Sequence, residues 1–208
     1  MFIPINLLTQ NKYEKSFYGG LFYISEYIAS DEFASLKENC SDPERVDTLF
    51  AKALQFFEGD ISEACLCLTF TTLPFRNIKV RLPFINSQLI VPLPSTGQKL
   101  FEAKFKNLPK DLFFDSPKTE FGDKDKLAHF FGNAFLSYNF GWFNISKFMG
   151  IFVEKTEEEF FVEGGFDKRD LKVNALGELF GKSIKNNLGL KPSNVLKIYQ
   201  LFYFTLRL

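Results

Sequence analysis

The sequence is poor in the residues that usually announce chemistry. It has one histidine, one tryptophan, two methionines and three cysteines in 208 residues. A lone histidine, His129, excludes H-E-x-x-H, paired Cys/His fingers and every other site that needs two imidazoles. The cysteines are Cys40, Cys65 and Cys67. An odd number argues against a disulfide framework, and the Cys65/Cys67 spacing is not that of C-x-x-C zinc or redox sites. They read as small buried apolar residues. Charge of one sign is also lacking: 25 Lys plus Arg stand against 25 Asp plus Glu. No nucleic-acid partner is expected, because a phosphate-binding surface needs a basic excess. There is no G-x-G-x-x-G, no P-loop and no G-x-S-x-G, so nucleotide cofactors and an esterase-type serine are not expected. The first eight residues lack the basic region of a signal peptide, and no lipobox follows. The sequons Asn39-Cys40-Ser41 and Asn144-Ile145-Ser146 carry little weight in that setting.

What is abundant is phenylalanine, 28 residues, within a 46% apolar composition that excludes disorder for most of the chain. Its periodicity predicts a mainly α (α+β) protein: a helical bundle with a small antiparallel β-hairpin. Three regions are expected, possible as one domain: helical 1–74, a hairpin and irregular connector over 75–122, and helical 123–208. Aromatics at helical spacing predict a helix over about 17–39, broken near Ser30-Asp31 with Asp31 as a cap. Asp42 as N-cap and Pro43 open the next, and Asp60 with Glu63 the one after. Ile78–Leu82 and Leu89–Leu93 alternate as strands. Five breakers between Pro94 and Gly122 leave about one helical turn near Lys99–Phe105. Helices follow over about 123–138, 144–160 and 168–187, the last capped by Asp167. The tail from Val195 alternates better at period two than at 3.6 and reads as a terminal strand able to pair with the hairpin, with a helix as the alternative. The uncharged stretch between Lys126 and Lys147 has the length of one membrane span. Its His, Asn, Ser and Tyr content favours a buried or interfacial helix pair.

Asp125 and His129 lie four apart, and Asn133 extends their stripe on a helix apolar nearly all round. Asp170 and Asn174 repeat the spacing, followed by Gly177 and Gly181, a pair that admits close backbone approach. Glu154 follows the apolar run Met149–Val153. Polar groups on such helices need partners, each unpartnered one costing of order 1–3 kcal/mol. Convergence of Asp125, His129, Glu154, Asp170 and Asn174 admits three roles. One is general acid–base chemistry at His129, with Asp125 orienting it and Asn174 positioning a polar group. Another is a divalent metal held by one imidazole and carboxylates. The third is a structural polar lock.

The ordered pattern Asp125-Lys126-x-x-His129-Phe130, then Glu154, then Asp170-Leu171-x-x-Asn174-x-x-Gly177 resembles an uncharacterised bacterial family. Its members include the YfiM-type lipoproteins and, more remotely, the VanZ-like envelope proteins. The likeness covers about residues 123–185. It implies helical packing and an envelope association, and it points at the same five residues. The chain departs from those families in its lack of a lipobox and of several clean spans. Two functions are therefore expected to compete. The first is an envelope-associated or membrane-surface module with a buried polar cluster. The second is a hydrolase-like enzyme using His129, with or without a metal, on a small-molecule substrate.

Overall fold

The structure, a computed structural model, describes residues 12–81, 88–141 and 168–204. Its helices begin where short polar side chains satisfy exposed amides. Ser16 accepts from Gly19 N at 3.1 Å to open α1 (Phe17–Ala29). Ser30, rather than Asp31, both closes α1 and caps α2 (Asp31–Ser35), accepting from Phe33 N at 3.2 Å. At α3 (Asp42–Phe56) the cap is Ser41, not Asp42. The Glu44 carboxylate accepts from the Ser41 amide at 2.9 Å and from its hydroxyl at 2.6 Å. Asp42 is thereby released for a longer-range task. It accepts from the Lys110 and Asp111 amides at 2.7 and 2.8 Å and from Arg45 at 2.6 Å. These donors hold its carboxyl below the usual range despite burial. Arg45, fully buried over the Phe33 ring, also donates to the Asn107 carbonyl. This pair pins the connector to the N-terminal helices.

α4 (Ile61–Thr71) opens as expected, with Asp60 accepting from Glu63 N at 3.0 Å. The hairpin also forms as expected: β1 (Asn77–Arg81) pairs antiparallel with β2 (Gln88–Pro92), Ile78 opposite Val91 and Lys79 opposite Ile90. Its turn lies outside the described residues. The predicted single turn in the connector is a ten-residue helix, α5 (Gln98–Asn107). Packing on α1 extends it beyond what its breaker-rich flanks suggest. α6 (Lys126–Asn139) and α7 (Lys168–Ile184) form the most extensive helix pair, and α4 covers another side of α6. The predicted 144–160 helix, with Glu154, and the Asp167 cap lie outside the described residues.

The tail is a correction. Residues 192–204 are helical: α8 (Pro192–Leu196), a 3₁₀ turn and α9 (Leu201–Phe204). They do not join the hairpin, whose sheet has two strands. Pro192 favours a helix start, and Asp47 accepts from the Ser193 amide at 2.8 Å and hydroxyl at 2.6 Å. Val195, Leu196 and Tyr199 are then buried, a helical spacing that the period-two parity concealed. Tyr199 stacks on Phe113, and its hydroxyl joins Asp115 and Arg169. One apolar cluster runs from Leu21 through Leu112 to Tyr199 and so draws on all three regions. Among the described residues no helix is long and apolar enough to cross a membrane.

Lys104 is buried at the C-terminal end of α4, where its ammonium donates to the Thr71 carbonyl and, at 3.4 Å, to that of Leu73. Burial lowers its pKa to about 7. Above pH 7 the unfolded chain therefore holds a proton that the folded chain releases, so stability rises with pH. Cys67, pushed up to about 12 by burial, acts in the opposite sense once free thiols ionise near pH 9. Urea unfolding should show about 2 kcal/mol more stability at pH 9 than at pH 7. The rise should be lost in Lys104→Met, leaving the slight fall due to Cys67; a flat wild-type profile would contradict it.

Candidate functional site

The polar constellation is built at the α6–α7 contact. Two glycines make that contact close. A β-carbon at Gly177 would stand 3.0 Å from the Phe130 carbonyl carbon and 3.1 Å from the Asn133 β-carbon. One at Gly181 would stand 3.0 Å from the Ala134 carbonyl carbon. The backbones touch there, so side chains one turn away on each helix meet directly.

Asp125, Asp170, His129 and Asn174 converge as expected; Glu154 lies outside the described residues. Asp125 sits at the N-cap position of α6, but its side chain makes no capping bond. Lys126, which the sequence reading left without a role, is the hub. Its ammonium lies 2.9 Å from Asp125 Oδ2 and 2.5 Å from Asp170 Oδ1, with only 5% of its side chain exposed. Asp170 is thus committed to an ion pair across the helices rather than to capping α7. The other Asp125 oxygen, Oδ1, is buried and has no hydrogen-bond partner among the described residues. The signal that could have found Lys126 was its position: a cation on an apolar helix, beside one candidate carboxylate and facing another.

His129 is not oriented by Asp125. Its Nδ1 lies 3.2 Å from Asn174 Oδ1, and the direction of that bond follows from a chain of donors. Asn133 Nδ2 donates to the His129 carbonyl at 2.9 Å and to Asn174 Oδ1 at 2.8 Å. A backbone carbonyl can only accept, so the Asn133 amide is fixed, and Asn174 presents oxygen. Nδ1 must then carry the proton, which leaves Nε2 with the lone pair. Nε2 lies 3.8 Å from Asp170 Oδ1. Asn133 and Asn174 are buried, whereas the His129 side chain is 41% exposed.

That exposure opens onto a pocket of about 380 Å³ between α4 and α6. Its wall is mostly apolar, from Leu66, Leu73, Phe75, Phe135 and Leu136, and its polar end is Asp125, His129 and Asn133. Among the described residues two carboxylates face one ammonium there. Ser137 supplies no nucleophile: it is buried and donates to the Ala134 and Glu178 carbonyls.

Asp125, His129 and Asp170 can each bring one ligand atom within 4.8 Å of the others, a spacing that suits a metal ion. The Lys126 ammonium already bridges the two carboxylates from within. A divalent cation would have to displace it or share the same oxygens with it. The chain's own cation thus already occupies the two carboxylates and offsets part of their charge.

A second network lies beside this one. Arg169 sits 2.7 Å from Asp123 and 3.2 Å from Asp115. Burial raises the Asp123 carboxyl pKa, although Ser116 and Arg169 oppose the rise. It ties the connector and, through Tyr199, the 3₁₀ turn after α8 to α7, and none of these residues lines the pocket. Comparisons of the chain with protein-family models, with curated proteins and with solved structures find no match.

Proposed function

We propose that the α6–α7 cluster is an acid–base site of hydrolase type, in which His129 Nε2 takes a proton from water and returns it to a leaving group. The observation that carries this reading is the partly exposed His129 side chain at the polar end of an apolar pocket, with its tautomer set by Asn174 and Asn133. A base needs a fixed tautomer, access to substrate and a nearby anion to receive the imidazolium. Asp170, 3.8 Å from Nε2, is that anion, and its ion pair with Lys126 holds it in place. The pocket wall suits a substrate with an apolar body. Among the described residues no side chain is placed as a covalent nucleophile, so the attacking group would be water. A structural lock is the second reading, favoured by the burial of Lys126, Asn133 and Asn174.

A graded series of p-nitrophenyl acyl esters separates the two. Turnover should rise with acyl length until the pocket is filled. His129→Gln should lower kcat/KM by about 10²–10⁴-fold with little change in melting temperature. Equal rates in wild type and variant, or no turnover by either, would assign the cluster to the lock.

A further inference from the structure

We infer that the β-hairpin is a docking element for an anionic lipid surface. The inference is independent of the acid–base reading. Between Glu63 and Glu102 the chain has no acidic residue and four cations, Arg76, Lys79, Arg81 and Lys99, in a molecule whose formal charges balance only with this segment included. The structure places the centre of this segment on an outlying two-stranded ribbon. Among the described residues, β1 and β2 pack on each other far more than on any helix.

Apolar residues of the ribbon, and Phe75 just before it, lie outside the core cluster. Phe75 is 42% exposed, Leu89 49% and Ile90 62%. An isolated hairpin is marginal in water, and an exposed edge with apolar side chains invites another surface. Lys79 is exposed and pairs in register with Ile90, so cation and apolar side chain stand side by side. Arg76 holds the base of the ribbon to α5 through Gln98 Oε1 at 2.6 Å. A protein partner could use the apolar area, but a stretch without a single acid is complementary to a uniformly negative plane. Acyl chains would take Ile90 while phosphates face Lys79, its register partner on the same face of the ribbon. Phe75 also lines the pocket, so the docking face runs continuously into the pocket's rim.

Flotation of the full chain with phosphatidylglycerol vesicles and with phosphatidylcholine vesicles tests this. Wild type should float with the anionic vesicles, float little with the neutral ones, and be released by high salt. Ile90→Asp and Lys79→Glu should each weaken flotation about tenfold or more, without loss of folding, since both side chains are exposed. Equal flotation of the variants, equal binding to both vesicles, or no flotation at all would overturn the inference. So would a wild-type dimer in gel filtration that Ile90→Asp abolishes, which would make a second copy the occupant.

Discussion

Gly177→Ala is expected to cost about 2–3 kcal/mol of unfolding free energy, and Gly177→Ala with Gly181→Ala to leave the chain without a cooperative transition at ambient temperature. Alanine in a helix is ordinarily better than glycine by about 1 kcal/mol, so the sign depends wholly on what the new methyl meets. At both positions it meets α6 backbone: the Phe130 carbonyl at one and the Ala134 carbonyl at the other. A backbone carbonyl cannot rotate away, so the helices must separate. Separation loosens the stacking of Phe130 on Phe180 and exposes core built from Phe131, Val173 and Leu176. Overpacking of this kind costs about 1–3 kcal/mol, more when two clashes act on one contact. Gly132 supplies the control. It lies on α6 away from α7, and a β-carbon there would meet only the Thr69 side chain, at 3.4 Å. Gly132→Ala should be neutral or gain up to about 1 kcal/mol. Urea titration of the three variants reads the contrast; a Gly177→Ala loss below about 0.5 kcal/mol would mean that α6 and α7 do not pack this closely.

That close approach was legible in the sequence because small residues four apart leave few alternatives. The convergence of Asp125 with Asp170 and of His129 with Asn174 was legible for a similar reason. Polar groups on an apolar helix must find one another, and matched spacings on two helices let them do so. What the spacing could not show was which partner each would take. Asp125 and His129 share a helix face, yet His129 bonds to Asn174 and Asp125 to Lys126. Lysine reads as a surface residue until a structure shows its ammonium between two carboxylates. The same limit applied at the caps. Ser41 and Asp42 are adjacent and both suit an N-cap. Only the distant amides of Lys110 and Asp111 decide that Asp42 serves the connector instead. The tail misled for a local reason. Val195, Leu196, Tyr199 and Phe202 fit a helix, but the same stretch alternates by parity, and Asp47 in α3 resolves the ambiguity by capping Ser193.

Lys126→Ala should exchange one cation for another. Removing the ammonium leaves two carboxylates facing each other across α6 and α7 without the cation that pairs them among the described residues. Breaking a buried pair costs about 3–5 kcal/mol, and the low end applies because Asp125 and Asp170 are 24% and 26% exposed. The variant should melt well below wild type in a buffer without divalent ions. The vacated space is bounded by Asp125, Asp170 and His129, whose ligand atoms already lie within 4.8 Å of one another. Manganese should therefore bind the variant and recover much of the lost stability, since a ligand that binds only the folded state stabilises it in proportion to its occupancy. Wild type should show no manganese-dependent shift in melting, because its two carboxylates are already paired with an ammonium that cannot leave without being buried unpaired elsewhere. His129→Gln placed on the Lys126→Ala background should weaken the recovery by removing the imidazole ligand. If wild type itself takes up manganese stoichiometrically, Lys126 is not the resident cation of the site. The proton chemistry proposed for His129 would then give way to a metal centre using the same three side chains.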